Sequence, residues 1–190
     1  MRIISGSRKG KKLKCLASLK IRPTSDRLKE AFFSKIAPRI DGCSFLDCFA
    51  GCGGVGIEAL SRGADIVVFI ESNRAACNMI RENLRDCDFK DKAKLLPLDW
   101  KRALKILMQE NRVFDILFFD PPYHEFSYNK IFEYLSSVKL LSLNSLIAVE
   151  HFRHQLLEPA EELFSYNSTI RAGDSCISLF QIKNIPVIKE

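Results

Sequence analysis

From about residue 43 the chain alternates between short apolar runs and longer amphipathic ones, and this rhythm restricts the architecture more than any other feature. Strand-like runs fall near 44–49, 66–70, 93–96, 113–119, 145–149 and 176–182. Helix-like segments lie between the first five, near 55–62, 73–85, 99–110 and 128–138. Strands separated by single helices imply a parallel, doubly wound sheet. The end departs from the rhythm. Residues 155–164 read as a helix, and 166–172 with 176–182, split by Ala172-Gly173-Asp174, read as a hairpin that adds an antiparallel strand. The expected fold is therefore α/β, with a mostly parallel seven-stranded sheet. Sheets of this kind bind ligands at the carboxyl ends of their strands.

The 190 residues suit one sizeable domain, or one domain with a small appendage, and a hydrophobic fraction of 47% is ample for its core. No apolar run approaches the roughly 18–20 residues needed to span a bilayer, and the first ten residues contain no signal-peptide core. Seven cysteines include no Cys-x-x-Cys pair. Cys48 and Cys52 lack a second pair of ligands nearby, as does His151-x-x-His154, so no metal site is expected. Reduced thiols in a cytoplasmic protein are the simpler expectation.

The net charge of +6 is unevenly distributed. Residues 1–40 hold 12 Lys or Arg against Asp26 and Glu30, giving +10, and the remainder carries −4. Eight basic residues precede Pro23 with no acid among them. A basic arm on a mildly acidic body is the electrostatic footprint of polyanion binding. Arg2, Arg8, Lys9, Lys11, Lys12 and Arg22 are its candidate phosphate contacts. Ile3, Ile4, Leu13, Leu16 and Ala17 interleave the charges, with Gly6 and Gly10 as punctuation, a pattern suited to a short β-hairpin. Thr24 or Ser25 then caps a helix whose apolar face is Leu28, Ala31, Phe32 and Ile36, ending at Pro38.

Between the first strand and its helix, Gly51, Gly53 and Gly56 satisfy the pattern G-x-G-x-x-G, and Glu71 closes the next strand. That motif fits NAD and also adenosine cofactors without a pyrophosphate. Asp47, four residues before Gly51, would oppose a pyrophosphate but favour the ammonium of a methionine moiety. No second domain for a hydride acceptor is evident. Glu71 can accept both ribose hydroxyls. Asp99 follows the third strand, where it can cap the next helix, accept an adenine amino group, or do both. Trp100 can stack on adenine or pack in the core.

The fourth strand runs into Asp120-Pro121-Pro122-Tyr123. Two prolines remove two amide donors and fix two φ angles, so the turn is stiff. It presents a carboxylate, a carbonyl and an aromatic face in a set geometry, which suits a planar group bearing an exocyclic amine. His124 follows as a loop histidine.

Asp47-Cys-Phe-Ala-Gly-Cys-Gly, Glu71, Asp99 and Asp-Pro-Pro-Tyr123, in this order and spacing, resemble a class I S-adenosylmethionine-dependent methyltransferase with its Rossmann-like fold. Arg2-Ile-Ile-Ser-Gly6, Arg22-Pro-Thr-Ser-Asp-Arg-Leu-Lys-Glu-Ala-Phe32 and Gly56-Ile-Glu-Ala-Leu-Ser-Arg-Gly63 are narrower and resemble the RsmD family, whose members methylate the exocyclic N2 of a guanine in 16S ribosomal RNA. The resemblance covers Arg2 to about Gln181. Cys52 stands where a small Ser is more usual, and the final ten residues match nothing in the family. The resemblance implies S-adenosylmethionine as cofactor, held by Asp47, Gly51, Gly53, Glu71 and Asp99. It implies that Asp120 and the Pro121 carbonyl accept the two amine N–H bonds while Tyr123 stacks on a flipped base. It divides the chain into a basic RNA-binding extension over 1–40, a catalytic domain over 41–184 and a tail over 185–190. Its substrate is the RNA or an assembling small subunit, met by a cytoplasmic monomer. Within the fold, the rivals are adenine-N6 and protein glutamine methylases. From other classes, a non-catalytic RNA-binding module leaves the acids unmotivated, and an NAD-linked reductase leaves Asp-Pro-Pro-Tyr idle.

Overall fold

A computed structural model describes residues 1–15, 25–122 and 128–185. The parallel strands are β1 (Ser44–Cys48), β2 (Ile66–Ile70), β3 (Ala93–Leu96), β4 (Ile116–Phe119) and β5 (Leu146–Phe152), followed by β6 (Phe164–Ala172) and β7 (Ser175–Ile182). Among the described residues, five α-helices accompany them: α1 (Asp26–Lys35), α2 (Gly54–Ser61), α3 (Arg74–Asp86), α4 (Trp100–Gln109) and α5 (Asn129–Leu135). The sheet order is β3-β2-β1-β4-β5-β7-β6, with β7 antiparallel to both neighbours. This is the expected seven-stranded, doubly wound α/β sheet.

Alternate strand residues face opposite layers, and each layer has its own core. On one side Phe45, Phe69, Phe118 and Ile177 pack with Phe32 and Phe33 of α1 and Ile80 of α3. On the other, Leu46, Leu117, Ile147 and Phe180 pack with Leu104 of α4 and Phe132 of α5. The order reverses between β1 and β4, which leaves a crevice at their carboxyl ends.

Three local expectations need correction. Residues 155–164 form no helix: the stretch is irregular, with a turn at 161–163 leading into β6. Pro159 in its middle removes an amide donor and pushes its neighbour out of the helical region. In α1, capped by the Ser25 side chain accepting from the Leu28 amide, Ala31 is exposed and Phe33 is buried instead. At 100° per residue, Leu28, Lys29, Phe32, Phe33 and Ile36 share one face and Ala31 lies away from it. The cysteines are not all reduced, because Cys15 is disulfide-bonded to Cys52. The other five are buried thiols.

The N-terminal segment folds back as a hairpin with a single antiparallel bridge, Arg2 to Lys12, around turns at 5–10. It is docked on the sheet domain. Ile3 and Leu13 are buried in the α1–α3 core. Gly6, at φ 84°, approaches α2 so closely that a Cβ would fall 1.8 Å from the Ser61 carbonyl oxygen. Glu58 of α2, fully buried, accepts from the amides of Ile4 (2.8 Å) and Ser5 (2.9 Å) and from Arg62 Nε (2.8 Å). Lys29 of α1, also buried, lies 3.5 Å from the Glu58 carboxylate and donates to the Arg2 carbonyl at 2.8 Å. Asn83 of α3 accepts from the Lys14 amide and donates to the carbonyls of Lys14 and Cys52. Among the described residues, no helix is long and apolar enough to cross a membrane.

Candidate active site

The sheet order sets β3, β2, β1 and β4 side by side, so Asp99, Glu71, the glycine loop and Asp120 all emerge at one edge. The loop after β1 is held by acids from two strands. Asp47, within β1, accepts from the Gly56 amide at 2.8 Å. The N-cap of α2 is Gly53, in the left-handed region (φ 81°), so the helix has no side-chain cap of its own. Asp47 therefore satisfies an orphan amide of the first turn and places negative charge at the helix's positive end. Glu71 spans the loop and the next helix: Oε2 accepts from Gly51 (2.8 Å) and Oε1 from Asn73 (2.7 Å). Each oxygen keeps a further lone pair for a ligand. Gly56 has a packing reason, since a Cβ there would meet the Phe69 ring at 2.3 Å.

Burial dominates the electrostatics of Asp47. Desolvation pushes its carboxyl up to about 7 against the stabilising Gly56 amide, with the Glu71 charge adding to the rise. Asp99 caps α4 by accepting from the Lys101 amide at 3.0 Å and is itself exposed. Trp100 is buried, its ring 5.9 Å from Phe49 and 5.3 Å from Tyr134, so it packs in the core.

Asp120 is half-buried, and its amide donates to the Cys48 carbonyl at 3.3 Å, which keeps the turn in step with β1. Pro121 is buried and Pro122 exposed. Tyr123, His124 and Arg22 lie outside the described residues, as do Leu16 and Ala17 of the arm. Asp120 and Asp47 line one cavity with the glycine loop, and Met1, Cys15 and Lys29 supply its other wall. A larger cleft of about 670 Å³, between residues 153–161 and the β6–β7 hairpin, includes none of these acids. The acids, not cleft size, mark the candidate site.

Two participants escaped the sequence reading. Phe49 adopts φ 65°, a costly conformation for a bulky residue, and lines the cavity beside both acids. Its position inside Asp-Cys-Phe-Ala-Gly offered no signal beyond proximity to the loop. Tyr128 is buried a few residues after the Asp-Pro-Pro turn; burial, then the charges of Asp120 and Glu150, push its hydroxyl well above the usual range. Its ring meets that of His151, at the end of β5, edge to face at 6.2 Å. Only tertiary structure brings Tyr128 within the field of Asp120 and sets His151 against its ring.

The candidate phosphate contacts are not equivalent. Lys9, Lys11 and Lys12 are exposed. Arg2 is exposed and 3.4 Å from Asp26. Arg8 is half-buried: it donates to the Cys87 carbonyl, pairs with Asp88 at 3.3 Å and lies over the Phe89 ring. Among the described residues, no group of three or more His, Cys, Asp or Glu could hold a metal ion.

A family model described as conserved hypothetical protein 95 matches residues 1–181. Ribosomal RNA small subunit methyltransferase D of Haemophilus influenzae is 37% identical over 152 residues, 79% of this chain and 78% of that one. Its Escherichia coli namesake is 33% identical over 181 residues, covering 95% and 89%. Among solved structures, yhhF from Escherichia coli is similar at a TM-score of 0.82 and 32% identity, over 96% of this chain and 97% of that one. A 16S rRNA N2 methyltransferase (RsmC) from Thermus thermophilus, in complex with AdoMet and guanosine, shares the fold at a TM-score of 0.67 and 23% identity, over 89% of this chain and 45% of that one.

Proposed function

The chain belongs to the ribosomal RNA small subunit methyltransferase D family, and on that premise we propose that it methylates the exocyclic N2 amine of a guanine in 16S ribosomal RNA, with S-adenosylmethionine as donor. The observation that carries this reading is the row of four acids, Asp99, Glu71, Asp47 and Asp120, at the carboxyl ends of β3, β2, β1 and β4. The donor set fits this cofactor's chemistry. Glu71 offers lone pairs to ribose hydroxyls, Asp99 to an adenine amine, and Asp47 sits where a methionine ammonium would be neutralised. A pyrophosphate would meet three carboxylates. When bound, the cofactor supplies an electrophilic methyl on a sulfonium.

The rest of the chemistry belongs to the chain. Guanine N2 is a poor nucleophile because its lone pair is delocalised into the ring. Asp120 Oδ and the Pro121 carbonyl accept its two N–H bonds, pull it toward tetrahedral geometry and stabilise the positive charge that grows during attack. Tyr123 stacks on the base and fixes its orientation. No strong base is required, since the proton can leave after methyl transfer. The nucleotide is flipped or already unstacked. Lys9, Lys11 and Lys12, exposed on the docked arm, hold neighbouring phosphates, with Arg2, Arg8 and Arg22 as further contacts. The enzyme acts as a cytoplasmic monomer on the RNA or on an assembling small subunit.

The test is to incubate the chain with methyl-labelled S-adenosylmethionine and small subunits from cells lacking this protein, then digest the RNA to nucleosides. Label is expected in N2-methylguanosine. Label in N6-methyladenosine, in ribosomal protein, or nowhere defeats the reading.

A further inference from the structure

The two bonded cysteines join parts of the chain with different tasks. Cys15 ends the described part of the basic arm, and Cys52 lies between Gly51 and Gly53 of the loop that follows β1. Their Cα atoms are 5.6 Å apart across a sequence separation of 37 residues, well within the reach of a disulfide. Both line the cavity that also holds Asp47 and Asp120. We propose that Cys15 and Cys52 form a thiol–disulfide modification site, taking a low-molecular-weight disulfide as oxidant, and that the bond fastens the arm across the cofactor pocket.

Selectivity follows from the exposure of Cys15 and its closeness to Cys52. Cys43, Cys48, Cys77, Cys87 and Cys176 are buried, and burial pushes each thiol up, Cys43 to about 12. Such thiols are inert to small disulfides. Cys15 alone is exposed and meets the small disulfide first; Cys52, although buried, is within bonding distance of it and has only to reach the Cys15 sulfur. The chemistry balances. The Cys15 thiolate attacks one sulfur of the small disulfide and expels one thiolate, giving a mixed disulfide. The Cys52 thiolate then attacks the Cys15 sulfur and expels the second. The chain loses two electrons and two protons, and the small disulfide becomes two thiols. Excess dithiol runs the sequence backward.

The consequence lies in the size of the pocket. With the bond in place, the cavity between arm and loop is about 30 Å³, against the roughly 300–1,000 Å³ typical of small-molecule sites. Met1 closes it from the arm side, its sulfur 2.3 Å from where a Cβ on Gly54 would sit. For the methionine end of a cofactor to enter, this wall must move away from residues 51–54. The cross-link opposes that movement, and reduction releases it. This effect rests on the S-adenosylmethionine reading, whereas the modification site itself does not.

The full chain is equilibrated in excess oxidised glutathione or in dithiothreitol, unfolded, and alkylated for mass spectrometry. Five alkylated cysteines and a Cys15–Cys52 peptide are expected after oxidation, and all seven alkylated after reduction. Seven in both buffers, or a different pair, overturns the site. Calorimetry should show several-fold weaker S-adenosylmethionine binding by the oxidised chain, restored by dithiothreitol, and no difference between buffers for Cys15→Ser. Equal affinity of the two wild-type forms overturns the closing role. No binding in either form defeats the cofactor reading instead, while the alkylation count still decides the modification site.

Discussion

Glu58→Gln is the perturbation with the largest consequence for how the arm is held. The Glu58 carboxylate is fully buried and receives the Ile4 and Ser5 amides, Arg62 Nε and the nearby Lys29 ammonium. Lys29 is 1% exposed, so neutralising Glu58 strands a positive charge in the core. Removing one partner of a buried pair costs about 3–5 kcal/mol, most of it the penalty on the charge left behind. The amide keeps one acceptor for the arm amides, so the variant still folds and its loss can be measured by urea unfolding. Burial already lowers the proton affinity of Lys29 despite Glu58, which makes the stranded charge the dominant cost. Lys29→Met should therefore rescue part of the loss, with a coupling of about 1–3 kcal/mol in the double-mutant cycle. A loss under about 1 kcal/mol, or strict additivity of the two changes, would refute the claim that this pair holds the arm.

Glu71→Ala should weaken S-adenosylmethionine binding by about 1.5–3 kcal/mol in a calorimetric titration without RNA, the range for hydrogen bonds to a charged group. Asp47 should impose a pH dependence on the same titration. Its folded carboxyl is raised from 3.8 to about 7, so its proton stabilises the fold below its ordinary range and that contribution is lost as pH rises through about 7. Affinity for the cofactor's ammonium should rise over the upper part of that window as the carboxylate forms, and Asp47→Asn should abolish the rise. Replacing the exposed Lys9, Lys11 and Lys12 together by Gln should flatten the dependence of RNA affinity on salt by about 0.7–0.9 per lost phosphate contact in log–log slope, with cofactor binding unchanged.

The sheet was legible because its signal is periodic. The runs at 66–70 and 93–96 coincide with β2 and β3, and the glycine loop and Asp-Pro-Pro turn sit where strand ends were expected. The stretch 155–164 reads as a helix, but Pro159 breaks it and the segment is irregular. Contacts across the fold left no trace in spacing. Nothing in the sequence pairs Cys15 with Cys52, sets Glu58 beneath the arm, or brings Tyr128 toward Asp120. The charge count identified a basic arm but not its docking, because Ile3 and Leu13 bury themselves only against a partner that lies far along the chain.

In the proposed function, the Asp-Pro-Pro turn activates a guanine amine for methyl transfer. The most direct measurement is single-turnover methylation of the small subunit by Asp120→Ala, alongside its affinity for S-adenosylmethionine. Affinity should stay near normal while the rate falls at least about 100-fold, the scale of a lost charge-stabilising contact worth roughly 3 kcal/mol. A variant that transfers the methyl within a few-fold of the wild-type rate would contradict that role of the turn.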